Sequence, residues 1–139
     1  MNDLIRNCLI DEVIVTRESG RYVVTLDCMT DKGATFISVL KPDNTFGARK
    51  NDWSLLQRML EVNDLETTPP RDNYNFGPIY RQLRHRFFRF KLRPWKRDPS
   101  QPTPGATILK MKPIDPFPYP EEVVDEDVCD AILRMGGAS

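Results

Sequence analysis

Five runs of strand-forming residues, each closed by a turn or a proline-rich loop, constrain this chain more than any other feature. Ile10 to Val15 and Arg21 to Met29 are rich in Val, Ile, Tyr and Thr and flank Arg17-Glu18-Ser19-Gly20, so they read as a hairpin. Asp31-Lys32-Gly33 supplies a second turn, and Ala34 to Leu40 is a third strand ended by Lys41-Pro42-Asp43-Asn44. These three form a meander. Farther along, His85 or Arg86 to Trp95 is a fourth strand, Lys96 to Gly105 a loop with three prolines, and Ala106 to Lys112 a fifth strand.

Helical spacing falls between the third and fourth strands. Asp52 is placed to cap a helix in which Trp53, Leu55, Leu56, Met59 and Leu60 share an apolar face up to about Val62, and Trp53 is expected in the core. Thr67 to Pro78 reads as a loop, with one further helical turn at Ile79 to Leu83. Pro113 to Pro120 holds four prolines in eight residues and is expected to run extended. The outcome is a mostly β protein. Five strands with a helix between the third and fourth is the order of the OB-fold, a small Greek-key barrel that binds oligonucleotides on its outer face and loops. The same order also suits another small β barrel, or an open sheet with one helix. The expected division is an OB-fold-like nucleic-acid-binding domain over residues 1–113 and a Pro-rich, acidic tail over 114–139.

A chain of 139 residues buries enough surface for a core without disulfide or metal staples. Cys8, Cys28 and Cys129 are odd in number and widely spaced, and only His85 could join them around a metal, so buried free thiols are expected and structural zinc is not. No apolar run approaches membrane-spanning length, and Met1-Asn2-Asp3-Leu4-Ile5-Arg6 lacks the layout of a secretion signal. A cytoplasmic protein without a membrane partner is the expectation.

The charge is balanced in total, 20 basic against 20 acidic residues, and segregated in sequence. Arg81, Arg84, Arg86, Arg89, Lys91, Arg93, Lys96 and Arg97 fall within seventeen positions that contain no acid. Asp115, Glu121, Glu122, Asp125, Glu126, Asp127 and Asp130 then follow one another with no base between them. Such blocks imply a basic surface in use and an acidic tail that repels, recruits or competes.

In Arg86-Phe87-Phe88-Arg89-Phe90-Lys91-Leu92-Arg93-Pro94-Trp95 the period of two puts Phe88, Phe90 and Leu92 on one face. Phe87, Arg89, Lys91, Arg93 and Trp95 share the other. Cations beside rings suit a single nucleic-acid strand, whose phosphates pair with guanidinium and ammonium groups while exposed bases stack on flat rings. The expected contacts are Arg86, Arg89, Lys91, Arg93, Lys96 and Arg97 to phosphates and Phe87 and Trp95 to bases, with Lys110 and Lys112 continuing the surface. Arg21, Tyr22 and Phe36 are further candidates, although Tyr22 and Phe36 lie in phase with apolar neighbours and equally suit the core. The competing reading makes the arginines a solvated strand face or partners of the acidic tail, with Phe87 and Trp95 closing the ends of the barrel.

Catalysis has little support. The one histidine sits among arginines, adjacent tail carboxylates rarely converge on one ion, and no phosphate-cradling loop or His-Glu-x-x-His motif occurs. No catalytic residue, metal or cofactor is expected.

The Val13–Leu40 meander, the Asp52–Val62 helix, the Arg86 to Leu92 strand, the Thr107 to Lys112 strand and the acidic C-terminal region together resemble phage- and plasmid-encoded OB-fold single-stranded-DNA-binding proteins. The resemblance implies protection of single strands in replication or recombination, and homo-oligomers or cooperative coating. The acidic tail reads either as a solvated helix or disordered segment or, like the acidic tails of single-strand binders, as one that competes for the basic face or docks on partner proteins. One departure is that the chain ends Arg134-Met135-Gly136-Gly137-Ala138-Ser139, without the terminal Phe of bacterial-type single-strand binders. An RNA-binding OB domain and a small inhibitor or adaptor that docks on another protein are the alternatives that the residues leave open.

Overall fold

The computed structural model describes residues 3–44, 50–71, 75–96, 100 and 103–118. Arg97, Cys129 and the acidic stretch after Pro118 lie outside the described residues. The elements in chain order are β1 (Leu4–Glu18), β2 (Arg21–Thr30), β3 (Thr35–Leu40), α1 (Asp52–Glu61), α2 (Gly77–Arg81), β4 (Phe87–Pro94) and β5 (Ala106–Pro113). The strands make one antiparallel sheet in the order β3-β2-β1-β4-β5. The mostly β class and the five strands are therefore as read from the sequence. No described helix is long and apolar enough to cross a membrane.

The main difference is β1, which starts at Leu4 rather than Ile10. Its first half, Leu4 to Leu9, pairs with β4, and its length from Cys8 to Glu18 pairs with β2, so one strand joins the two parts of the sheet. The register with β2 shifts between Ile10 and Glu12. A one-residue slip reverses every later side chain, which is how Cys8 and Ile10 before the bulge and Val13 after it all face the core. The β1–β2 connection is the two-residue loop Ser19-Gly20, both at positive φ (52° and 79°), as the hairpin twist demands. At the next turn Gly33 has φ 87°, and the Thr30 hydroxyl accepts from the backbone N–H of Ala34 at 3.1 Å.

The inner sheet face contributes Val24, Leu26, Cys28, Phe36, Phe88, Phe90 and Leu92 to a single core. α1 covers part of it with Leu55, Leu56, Met59 and Leu60, and α2 with Ile79 and Tyr80. Truncating a fully buried ring such as Phe90 to Ala would cost about 3–5 kcal/mol. The N-cap of α1 is Asn51 rather than Asp52, and it makes no side-chain cap. Asp52 Oδ2 instead accepts from the Lys41 N–H at 2.8 Å, tying the end of β3 to the helix. Trp53 is 39% exposed, against expectation, because the buried arc centres on the two Leu-Leu and Met-Leu pairs and leaves Trp53 on its flank, edge-on to Phe76.

β3 and β5 are the edges of this open sheet. They meet at one isolated parallel bridge, Ile37 with Gly105, where the Ile37 N–H donates to Pro104 O at 2.9 Å.

Candidate nucleic-acid interface

β4 alternates as its sequence implies: Phe88, Phe90 and Leu92 are buried, and Phe87, Arg89, Lys91 and Arg93 face outward. Successive outward residues on a strand stand about 6.6 Å apart. On β5, Lys112 lies directly opposite Arg89 and Lys110 directly opposite Lys91, so four cations form two opposed like-charge pairs. On the other side β1 sets Asn7 opposite Arg89 and Ile5 opposite Lys91. A hollow of about 370 Å³ opens here, lined by Ile5, Arg89, Lys91, Lys110, Met111 and Lys112.

Little neutralises this block. The Arg89 Nε donates to the amide oxygen of Asn7 at 2.9 Å, which holds the guanidinium in place and leaves its charge unbalanced. Lys110 and Lys112 are exposed and have no ionic partner among the described residues. The acid that pairs with the cations of β4 is Asp3: Arg93 Nε donates to its Oδ1 at 3.2 Å, and Lys91 Nζ lies 3.9 Å from its Oδ2. Opposed like charges are unfavourable in a sheet, so the arrangement is one that an anion would relieve.

The two expected stacking rings are both engaged within the fold. Phe87 is half-buried and meets Phe117 edge-on, with ring centres 4.8 Å apart, and the Ile114 N–H continues the β4–β5 pairing by donating to Phe87 O at 3.4 Å. Trp95 lies against Gly105, where an added Cβ would collide with the indole, and its Nε1–H donates to the Thr107 hydroxyl at 2.9 Å. Trp95 thus clamps the β4–β5 ends beside the Ile37 bridge. The core reading holds for Phe36, fully buried, and for Tyr22, 8% exposed, whose hydroxyl accepts from the Phe76 N–H at 3.0 Å; neither ring offers a face to a base.

The remaining candidates are dispersed. Lys96 is exposed beyond Trp95. Arg86 precedes β4 on the parity of Phe88 and gives its carbonyl to the Ile10 N–H, apart from the block. Arg21 stands opposite Glu18, at the far end of β1 from its pairing with β4, and donates to Asn44 at 3.4 Å. On the β2 part of the same sheet face, Asp27 stands opposite Glu12. Burial first, then the charges of Asp11 and Glu12, push its carboxyl above the usual carboxylate range. The cation block is therefore carried by β4 and β5, with the first half of β1 beside it.

The sequence reading missed Ile5 and Asn7, on the part of β1 not read as a strand, and Asp3 just before it. Cys8 and Cys28 are buried free thiols, and burial pushes both well up from the ordinary thiol value, which makes them poor nucleophiles. No protein-family model matches the chain, and no curated protein matches it.

Proposed function

We propose that the protein is a non-enzymatic binder of single-stranded nucleic acid, DNA first, that holds phosphates on the outer face of β1, β4 and β5. The observation that carries this reading is the pair of opposed contacts Arg89–Lys112 and Lys91–Lys110, of which Lys91 alone has an ionic partner among the described residues, Asp3 at 3.9 Å. An edge strand blunted against aggregation needs charge, but it does not need like charges set face to face. Phosphate pairing supplies the affinity, and Phe87 and Trp95 serve the fold.

An OB-type barrel is the architecture proposed for this sheet. Its supports are the placement of the helices α1 and α2 between β3 and β4, the sharing of β1 between both parts, and the parallel Ile37–Gly105 bridge that brings the edges together. The site then lies at the other end of the same sheet face from the β2–β3 surface usual for OB-folds, which here carries Asp27. A role in replication or recombination follows from the proposed ligand.

Fluorescence anisotropy with labelled oligo-dT, the matching RNA and a duplex, each at low and moderate salt, tests the proposal. The expected result is single-strand binding that falls steeply with salt. Salt-insensitive binding, or stoichiometric capture of a protein with no binding to any nucleic acid, would overturn it.

A further inference from the structure

The hollow beside the four cations is closed on its β1 side by an apolar residue, Ile5. At 61% exposed, Ile5 is the most exposed large hydrophobic among the described residues, though it is paired on the central strand of the sheet, one residue after its start. Lys91 is its cross-strand neighbour on β4, and Arg89, Lys110, Lys112 and Met111 complete the wall. An isoleucine left in water at that position gains from any apolar surface laid over it. The cations beside it on β4 and β5 select for an occupant that is also negatively charged. A ligand that is flat and apolar at one end and anionic at the other meets both demands, and a nucleotide unit of a single strand has that form. Polyphosphate, or a duplex with its bases turned inward, satisfies the cations and leaves the isoleucine wet.

We infer that Ile5 is the platform for a nucleobase whose flanking phosphates lie on Arg89, Lys91, Lys110 and Lys112. This rests on the nucleic-acid reading and deepens it: base contact moves from the two engaged aromatic rings to an aliphatic side chain on β1. An aliphatic platform favours bases over no base, with little choice among bases, because it offers no hydrogen-bonding group of its own. Asn7 is not free to read a base edge, since its amide oxygen is held by Arg89.

Two labelled strands of equal length and charge separate base from phosphate: oligo-dT and an abasic version of it. The wild-type protein should bind oligo-dT about five- to tenfold more tightly than the abasic strand, as expected for covering one exposed isoleucine. Ile5→Ser should erase that margin while leaving abasic affinity and salt slope as they were. As a second readout, Ile5→Trp should show indole quenching with oligo-dT and none with the abasic strand at equal occupancy. Equal wild-type affinities for the two strands, a margin that survives Ile5→Ser, or equal quenching by both would overturn the assignment while phosphate binding stands. Failure of both strands to bind would overturn the nucleic-acid reading, and this inference with it.

Discussion

Replacing Lys110 and Lys112 together by Gln should move stability and nucleic-acid affinity in opposite directions. Each lysine faces a cation, Lys91 and Arg89 respectively. Directly opposed like charges in a sheet are unfavourable by a few tenths to about 1 kcal/mol per pair. Salt screens these exposed groups, so about 0.5 kcal/mol per pair is a fair figure, or about 1 kcal/mol for the double variant. For a chain of this size that raises the melting temperature by about 3 °C. Binding should respond the other way. Four phosphate contacts give a slope of about −3 in log affinity against log salt for a single strand, an approximately 50-fold loss between about 50 and 200 mM. Two contacts give a slope of about −1.4 and a loss of about sevenfold over the same range. Anisotropy titrations across a salt series and thermal melts followed by circular dichroism measure both quantities on one preparation. A variant that melts no higher and keeps the parent slope would show the lysines to be edge protection alone, and the argument from opposed charges would fail.

Asp3→Asn should free Arg93 and partly free Lys91, steepening the salt slope by about 0.7 and raising oligo-dT affinity about threefold at moderate salt; an unchanged slope would mean that the carboxylate does not compete with phosphate. Asp27 holds its proton more tightly folded than unfolded, so its ionisation opposes folding: the cost is absent below the ordinary carboxylate range and grows as pH rises through the raised value. Asp27→Asn should therefore be more stable than the parent in urea at neutral pH, with the difference closing near about pH 3, and a gap independent of pH would rule out this cause. Gly105→Ala sets a methyl into the Trp95 indole and should lower urea stability by about 1–3 kcal/mol and shift tryptophan emission; a neutral substitution would show that the clamp yields easily.

How far the sequence disclosed the site differs from strand to strand, for physical reasons. The facing of β4 was legible because apolar and charged residues alternate through Phe88-Arg89-Phe90-Lys91-Leu92-Arg93, and a half-buried strand admits one orientation of that pattern. The start of β1 was not legible. Leu4-Ile5-Arg6-Asn7-Cys8-Leu9 mixes polar residues into both phases, and the Asp11 bulge breaks the period before it can accumulate. That hid Ile5, Asn7 and Asp3 together. The rings failed for a different reason, since a sequence window shows which face a ring is on and not what lies over it. Phe87 is covered by Phe117, thirty positions on, and Trp95 has its place because Gly105 lacks a Cβ. Charge and availability are thus separate properties of a surface. The cations of β4 and β5 have few acids to satisfy them, and this shortage was visible as the uneven distribution of charge along the chain. Stacking capacity depends on long-range contacts that use up apolar surface, and on this face those contacts take both rings and leave the isoleucine. A single strand laid along Arg89 and Lys91 would therefore meet Ile5 before either ring.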